Sequence, residues 1–464
     1  MRRVDARFLL PRQPRTATIF GPLDEWAPGL EEAGIEVVPP GSPADLAVAP
    51  AALGRAALAR GAEMLIVEGR GGARELGGWD YDIRRLLARP TLDRSHVFVP
   101  LDAPGAASYA VSNWGASDTL GKQARNSAAR VLLRTGRFPE LRSSVTVAAK
   151  KPGAPYLVAA ARDAGVPTEC DWFLTLGTVD ALSRNVFHLF PRNGKAPHWV
   201  LKFGRLPGSD ELFRSDERGL RLAQETRLGA QHAPRFLSRF EVDGLHASVE
   251  TAATGDRLRA LLTRPGRERE KLRLIDVVAA WLVELARETA APAETLEPER
   301  ARLLEEVVRP WQARGVDPDV VLGLPPVPAV LQHSDVHCDQ VLIRRNDFTV
   351  VDWEHARRPG LPVLDLVHFL TDALTLLDGS PGLEHTLRLL RGELQRSAVL
   401  FRWIRAMVDA LQLPDTAVGR IVTLLWLEKH EEAIRINPSY RPELAPSWLR
   451  DPALGATWTR WREL

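Results

Sequence analysis

Residues 333–354 read HSDVHCDQVLIRRNDFTVVDWE, and this stretch gives the clearest indication of the fold. Two apolar runs, at 341–343 and 348–351, flank a short polar segment, which is typical of two β-strands joined by a turn. A tight hairpin brings its two ends together in space. We therefore expect the polar residues just before this hairpin to lie close to those just after it.

Oxygen-bearing side chains occupy both ends of the expected hairpin. Asp335 and Gln340 precede it, and Asp352 and Glu354 follow it. Carboxylate and amide oxygens suit Mg²⁺, which keeps several waters and binds substrate phosphates. A further carboxylate beside the metal can accept a proton from an attacking hydroxyl. These are the parts that phosphoryl transfer needs.

The order of these residues resembles the aminoglycoside phosphotransferase and choline-kinase-like branch of the protein-kinase-like fold. The family typically shows H-G-D-x-H-x-x-N followed by I-D-W/F-E, and this chain has H-S-D-V-H-C-D-Q and V-D-W-E. The resemblance extends over about residues 165–435. It implies that Asp335 is the catalytic base and that Asp352 is the principal Mg²⁺ ligand.

Two positions depart from the family pattern. Gln340 stands where the family has a metal-binding Asn, and Ser334 stands where it has Gly. Gln carries the same carbonyl oxygen on a side chain one carbon longer, so Gln340 is the predicted second metal ligand. The same substitution also leaves open a catalytically inactive nucleotide-binding protein, a pseudokinase or scaffold.

The family's phosphate-binding lysine has a counterpart in the segment HWVLKF at 198–203, which is a predicted strand. Lys202 lies near the end of this strand. Only seven of the 61 basic residues are lysine, so a lysine at this place stands out. The resemblance implies a carboxylate partner on the next helix. We predict Glu217 for this role, with Glu211 and Glu225 as alternatives.

The resemblance also implies the remaining nucleotide contacts. Ser183 and Arg184 belong to the segment expected to cover the phosphates, and Glu250 lies where the hinge should bind adenine. The implied co-substrate is ATP or GTP with Mg²⁺. We also expect His333 to be a core histidine bonded to a backbone carbonyl, and Asp365 to fix the loop by hydrogen bonds.

Residues 15–70 alternate short apolar runs with helix-like segments, which indicates a doubly wound α/β unit. The dinucleotide fingerprint G-x-G-x-x-G is absent. We predict a Rossmann-like α/β domain over 1–150, followed by an α+β, bilobal, kinase-like phosphotransferase domain. Its N-lobe is expected over 151–255 and its largely helical C-lobe over 256–464. The first domain could be a second enzyme, an acceptor-presenting module or a dimerising module.

The composition excludes several classes of protein. Of 464 residues, 45% are apolar and 26% charged, which excludes a largely disordered chain or a fibre. The net charge of +2 is too balanced to indicate binding to nucleic acid or a membrane. Two cysteines and the lack of a signal-peptide or transmembrane pattern favour a cytoplasmic setting.

The sequence therefore predicts a small-molecule kinase that phosphorylates a hydroxyl group. The expected acceptor is a sugar, an aminoglycoside, an amino alcohol or a related metabolite. Three acidic residues, Asp339, Glu354 and Asp372, could attract a cationic acceptor. The oligomeric state is left open.

Overall fold

The computed structural model describes residues 3–89, 91–92, 94–114, 128–129, 131–133, 143–167, 169–177, 184–345, 347–380, 382–436, 458 and 461–463. The chain forms two compact units. Unit 1 comprises Met1–Glu217 and Phe236–Thr254, and unit 2 comprises Arg218–Arg235 and Gly255–Leu464. The boundary predicted near residue 150 lies inside unit 1, whereas the one predicted at 255–256 lies where the long part of unit 2 begins.

Unit 1 is built on a single twelve-stranded sheet. Its strands are β1 (Thr16–Ile19), β2 (Glu36–Val38), β3 (Leu46–Pro50), β4 (Met64–Glu68), β5 (Asp82–Arg89), β6 (Val97–Pro100), β7 (Ser144–Ala149), β8 (Cys170–Thr175), β9 (Arg184–Pro191), β10 (Trp199–Gly204), β11 (Phe236–Val242) and β12 (Leu245–Thr251). Their spatial order is β11-β12-β10-β9-β8-β6-β5-β7-β4-β3-β1-β2.

The first four strands pair in parallel and the others antiparallel. Strands β3, β4 and β7 are apolar and almost wholly buried, as expected where both faces of a sheet are covered. Strands β1 to β4 confirm the alternation of strands and helices expected over residues 15–70. Strand β6 pairs with β8 through Phe98 opposite Leu174, so residues before and after 150 share one sheet.

Short helices accompany the strands of unit 1. They are α1 (Ala27–Glu32), α2 (Gly54–Ala59), α3 (Gly72–Leu76), α4 (Pro104–Trp114) and α5 (Tyr156–Ala160). Helix α6 (Asp210–Gln224) follows β10 and continues from unit 1 into unit 2. The largest buried cluster of this unit joins apolar residues of the parallel strands, such as Val48, to those of the antiparallel strands, such as Phe187 and Phe203.

Unit 2 is mainly helical. Its helices are α7 (Arg227–His232), α8 (Leu258–Leu262), α9 (Glu268–Thr289), α10 (Glu297–Arg302), α11 (Arg309–Gln312), α12 (Asp319–Leu322), α13 (Leu364–Leu377), α14 (Leu383–Leu390), α15 (Ser397–Leu411) and α16 (Asp415–Ile436). Its strands are β13 (Asp256–Arg257), β14 (Val330–Gln332), β15 (Val341–Arg344), β16 (Asp347–Val350) and β17 (Arg357–Gly360).

Strands β15 and β16 form the predicted hairpin. Val341 lies opposite Val350, and Arg344 lies opposite Asp347. The predicted fold class is confirmed: an α/β N-terminal part is followed by an α+β part whose C-terminal portion is largely helical. No helix among the described residues is both long enough and apolar enough to span a bilayer.

Candidate functional site

Strand β10 presents Lys202 on one face of the unit 1 sheet. Lys202 lies opposite Val186 of β9 and Ser248 of β12. Because strand side chains alternate between the two faces, Arg184 and Glu250, each two residues away from these partners, share the face of Lys202. The Nζ atom of Lys202 lies 3.0 Å from Oε2 of Glu250, and both side chains are largely buried.

The helix carboxylate that contacts this lysine is Asp216. Its Oδ1 atom lies 3.0 Å from Nζ of Lys202, and its Oδ2 atom accepts a hydrogen bond of 3.1 Å from Oγ of Ser248. The predicted partner Glu217 lies about 100° further around helix α6, since an α-helix has 3.6 residues per turn. Glu217 contacts Nε of Arg239 at 3.1 Å.

The structure describes two of the three other residues of unit 1 that were predicted to bind the nucleotide. Nη1 of Arg184 lies 3.6 Å from Oδ1 of Asp216. Glu250, predicted for its place at the hinge, directs its carboxylate to Lys202. Ser183 lies outside the described residues. Two cations and two carboxylates therefore balance one another on one sheet face, and they hold the lysine ammonium in a defined place.

In unit 2, the hairpin brings Gln340 and Asp352 together. The backbone N–H of Val351 donates to the carbonyl of Gln340 at 2.9 Å, and Nε2 of Gln340 donates to Oδ2 of Asp352 at 3.1 Å. Asp352 adopts a left-handed backbone with φ of 70°, which aspartate tolerates better than most residues. This turn carries the chain from the end of β16 into the short helical turn Trp353–His355.

The His333 ring connects the loop of Asp335 to the segment that precedes Asp352. Nε2 of His333 lies 3.0 Å from the carbonyl of Val351, and the backbone N–H of Asp335 donates to Nδ1 at 3.3 Å. Burial lowers the pKa of His333 to about 4, so the ring is neutral at pH 7 and carries its proton on Nε2. The expected carbonyl-bonded core histidine is confirmed.

Asp365, near the start of helix α13, holds the loop from the other side. Its carboxylate accepts hydrogen bonds from the backbone N–H groups of His333 at 2.6 Å and Ser334 at 2.8 Å. Burial raises the pKa of Asp365 to about 6. Ser334 has φ of 73°, which is the conformation that glycine adopts without steric cost, and its hydroxyl accepts from Gln332 at 3.0 Å. The loop-fixing role expected for Asp365 is confirmed.

The carboxylate of Asp335 lies between two basic side chains. Its Oδ1 atom is 2.7 Å from Nζ of Lys429, which belongs to helix α16, and its Oδ2 atom is 3.6 Å from Nε2 of His337. Burial disfavours the charged carboxylate, but the hydrogen bond from His337 and the Lys429 ammonium outweigh it. The pKa of Asp335 is therefore well below its usual range, and the pKa of His337 is raised.

Two acidic residues expected to attract a cationic acceptor are engaged with an arginine. Nε of Arg259 lies 2.5 Å from Oδ2 of Asp339, and its Nη2 atom lies 3.2 Å from Oδ1 of Asp372. The backbone N–H of Cys338 also donates to Asp372 at 2.8 Å. These carboxylates hold the loop in place, and their charge is offset by Arg259.

Asp216 and Lys429 are the site residues that the sequence prediction did not include. Asp216 continues the buried stripe of helix α6, since Phe213 lies three residues before it and Leu220 four residues after it. A carboxylate within an apolar stripe is the signal that could have identified it. For Lys429, the scarcity of lysine was the one available signal.

Gln340 and Asp352 are the residues that could hold the predicted magnesium ion, with Gln340 presenting its amide nitrogen to the Asp352 carboxylate. Within the described part of the chain, no group of three or more His, Cys, Asp or Glu side chains is arranged to hold a metal ion. Mg²⁺ usually binds through one or two carboxylates and completes its shell with water and substrate phosphates. One carboxylate beside one amide is compatible with this mode of binding.

No protein-family model and no curated protein matches the chain. Solved structures to which it is similar include the aminoglycoside-3'-phosphotransferase of type VIII, with 16% identity, a TM-score of 0.35, and 60% of this chain and 99% of that one covered. The spectinomycin phosphotransferase APH(9)-Ia, in complex with ADP and spectinomycin, has 10% identity and a TM-score of 0.34, and the match covers 66% of this chain and 98% of that one. The Mycobacterium tuberculosis PknI kinase domain has 16% identity and a TM-score of 0.27, and the match covers 52% of this chain and 95% of that one. Because each TM-score lies below 0.5, we base the proposed function on the side chains of this chain.

Proposed function

We propose that the protein is a phosphotransferase that moves the γ-phosphoryl group of ATP or GTP to a hydroxyl group of a small molecule. The observation that carries this proposal is the hairpin of unit 2. It places Gln340 beside Asp352, while the ring of His333 ties the same segment to the loop of Asp335. The residues proposed as proton acceptor and as metal ligands are thus linked by hydrogen bonds within one unit.

Each group has a defined role in the proposed reaction. Asp335 accepts the proton of the acceptor hydroxyl as its oxygen forms a bond to the γ-phosphorus. The bond from that phosphorus to the β–γ bridging oxygen breaks, and the nucleoside diphosphate leaves with the electron pair. Lys202, held by Asp216 and Glu250, provides a point charge for the nucleotide phosphates.

Gln340 and Asp352 would hold the Mg²⁺ ion in this proposal. The ion supplies charge neutralisation to the phosphate oxygens when it is bound. Asp352 provides a carboxylate oxygen for it. Gln340 presents its amide nitrogen to Asp352, and a turn of the amide group about its terminal bond would direct the amide oxygen to a cation instead.

The direct test is nucleotide turnover against a panel of sugars, aminoglycosides and amino alcohols with Mg²⁺. We expect Asp335→Ala to lower kcat by about 10²–10⁴-fold, the range typical for loss of a positioned acid–base group. Asp352→Ala should also lower kcat strongly, because it removes the proposed carboxylate ligand of Mg²⁺. Asp347→Ala is the matched control, since its side chain is exposed at the first position of β16 in the same hairpin. Turnover that survives both site variants would contradict the assignment.

A second candidate function is nucleotide binding without turnover. It is favoured by the amide of Gln340, which donates to Asp352 in the position expected to bind the metal. Gln340→Asn distinguishes the two candidates, because it shortens this side chain by one carbon. Activity that appears only in the Asn variant would support the non-catalytic function of the natural chain. Turnover by the natural chain would exclude it.

A further inference from the structure

Lys429 contacts the proposed catalytic base from a distant part of the chain. Its Nζ atom lies 2.7 Å from Oδ1 of Asp335, although 94 positions separate the two residues. Both side chains are largely buried, with exposed fractions of 17% and 24%. A contact of this length between partly desolvated groups is a charge-assisted hydrogen bond, which is stronger and more directional than a neutral one.

The position of Lys429 is fixed by its neighbour on helix α16. One oxygen of Glu428 accepts from Arg302 at 2.8 Å and from Arg357 at 2.9 Å. The same two arginines also bind Glu299, at 2.7 Å and 3.2 Å. Four charged groups thus anchor this turn of α16 to helix α10 and strand β17. The ammonium of Lys429 is presented to Asp335 by a braced element rather than by a mobile surface helix.

We propose that Lys429 is a positioning residue of the phosphotransfer reaction, which holds the carboxylate of Asp335 in the orientation that receives the acceptor hydroxyl. This inference rests on the function proposed above. The terminal torsion of an aspartate side chain has broad minima, so an isolated carboxylate samples many orientations. Lys429 on Oδ1 and His337 near Oδ2 restrict that rotation. The ammonium also offsets the repulsion between the carboxylate and the γ-phosphate.

The test compares steady-state kinetics of the full chain and its Lys429→Met and Lys429→Arg variants, with hydrolysis of the Mg²⁺-nucleotide to phosphate as a readout that needs no acceptor. Methionine keeps an unbranched side chain, one heavy atom shorter, and removes its charge. We expect kcat to fall about 10–100-fold, within the usual range for positioning effects, while the nucleotide KM changes less than about twofold. Arginine should restore part of kcat. Lys151→Met, at an exposed position of unit 1, is the matched control.

A double-variant cycle separates positioning from a structural role. If Lys429 acts through Asp335, adding Lys429→Met to Asp335→Asn should cause no further loss of kcat. If the kcat losses of the two single variants multiply in the double variant, or if kcat of Lys429→Met lies within twofold of the natural chain, the role of Lys429 is overturned. The proposed function would not be affected by either result. A natural chain that turns over no nucleotide under any condition would overturn the proposed function, and this inference with it.

Discussion

The buried carboxylate of Asp216 permits a stringent prediction, because its sequence neighbour Glu217 serves as its control. Asp216 is fully buried and contacts Lys202 at 3.0 Å and Ser248 at 3.1 Å. Glu217 forms a half-exposed pair with Arg239. The variants Asp216→Ala and Glu217→Ala therefore remove the same charge from adjacent positions of one helix, in opposite environments.

The expected magnitudes follow from these environments. Removing one partner of a buried ion pair costs about 3–5 kcal/mol, and the lower end applies because Lys202 keeps Glu250 at 3.0 Å. A pair that is partly open to solvent, such as Glu217 with Arg239, contributes about 0–1 kcal/mol. Since 1 kcal/mol shifts the Tm of a unit of this size by about 2–4 °C, we expect a fall of about 6–12 °C for Asp216→Ala. Glu217→Ala should lower Tm by less than about 4 °C.

The assay is thermal unfolding followed by circular dichroism, with both variants in one buffer. Asp216→Asn adds a further comparison, because it keeps the shape of the side chain and removes its charge. Equal Tm values for Asp216→Ala and Glu217→Ala would refute the reasoning. So would a larger fall for Glu217→Ala, which would restore Glu217 as the important helix carboxylate.

Three further predictions concern unit 2. Burial lowers the pKa of His333 to about 4, whereas the histidine of the unfolded chain has a pKa of about 6.5. Between these two pH values the unfolded chain binds the extra proton, so the stability of the fold decreases as the pH falls. Tm measured across this window should therefore fall less steeply for His333→Asn than for the natural chain. Ser334→Gly relieves a left-handed backbone but loses one hydrogen bond from Gln332, so we expect the free energy of unfolding to change by less than about 1 kcal/mol. A clear loss of stability in chemical denaturation would count against strain at this position. A methyl group at Gly219 would lie 1.8 Å from the carbonyl oxygen of Trp353, so Gly219→Ala should destabilise the fold by about 1–3 kcal/mol in chemical denaturation, and a neutral result would contradict this close approach.

Local patterns in the sequence predicted much of the site. The hairpin of β15 and β16 was predictable because strand alternation and turn residues are encoded within a few positions. The parallel strands β1–β4 were predictable for the same reason. The partner of Lys202 was missed by one position, because a helix turns each residue by about 100° and a single step exchanges a buried face for a half-exposed one.

Contacts between distant parts of the chain were not predictable from these patterns. Lys429 meets Asp335 across 94 positions, and no local feature of helix α16 marks that pairing. The pairing of β6 with β8 is likewise non-local. A domain boundary was expected at residue 150, but the strands on either side of that residue belong to one sheet.

The shared sheet of unit 1 has a practical consequence for anyone who trims or recombines this gene. An expression clone that starts after residue 150 would strip β8 of the neighbour it has in β6, leaving a row of backbone amides and carbonyls open to pairing with other molecules. Such a truncated chain should precipitate rather than fold as a smaller protein. Chimeras joined between Thr254 and Gly255 would keep all twelve strands of the large sheet on one side of the junction, with their pairing unchanged.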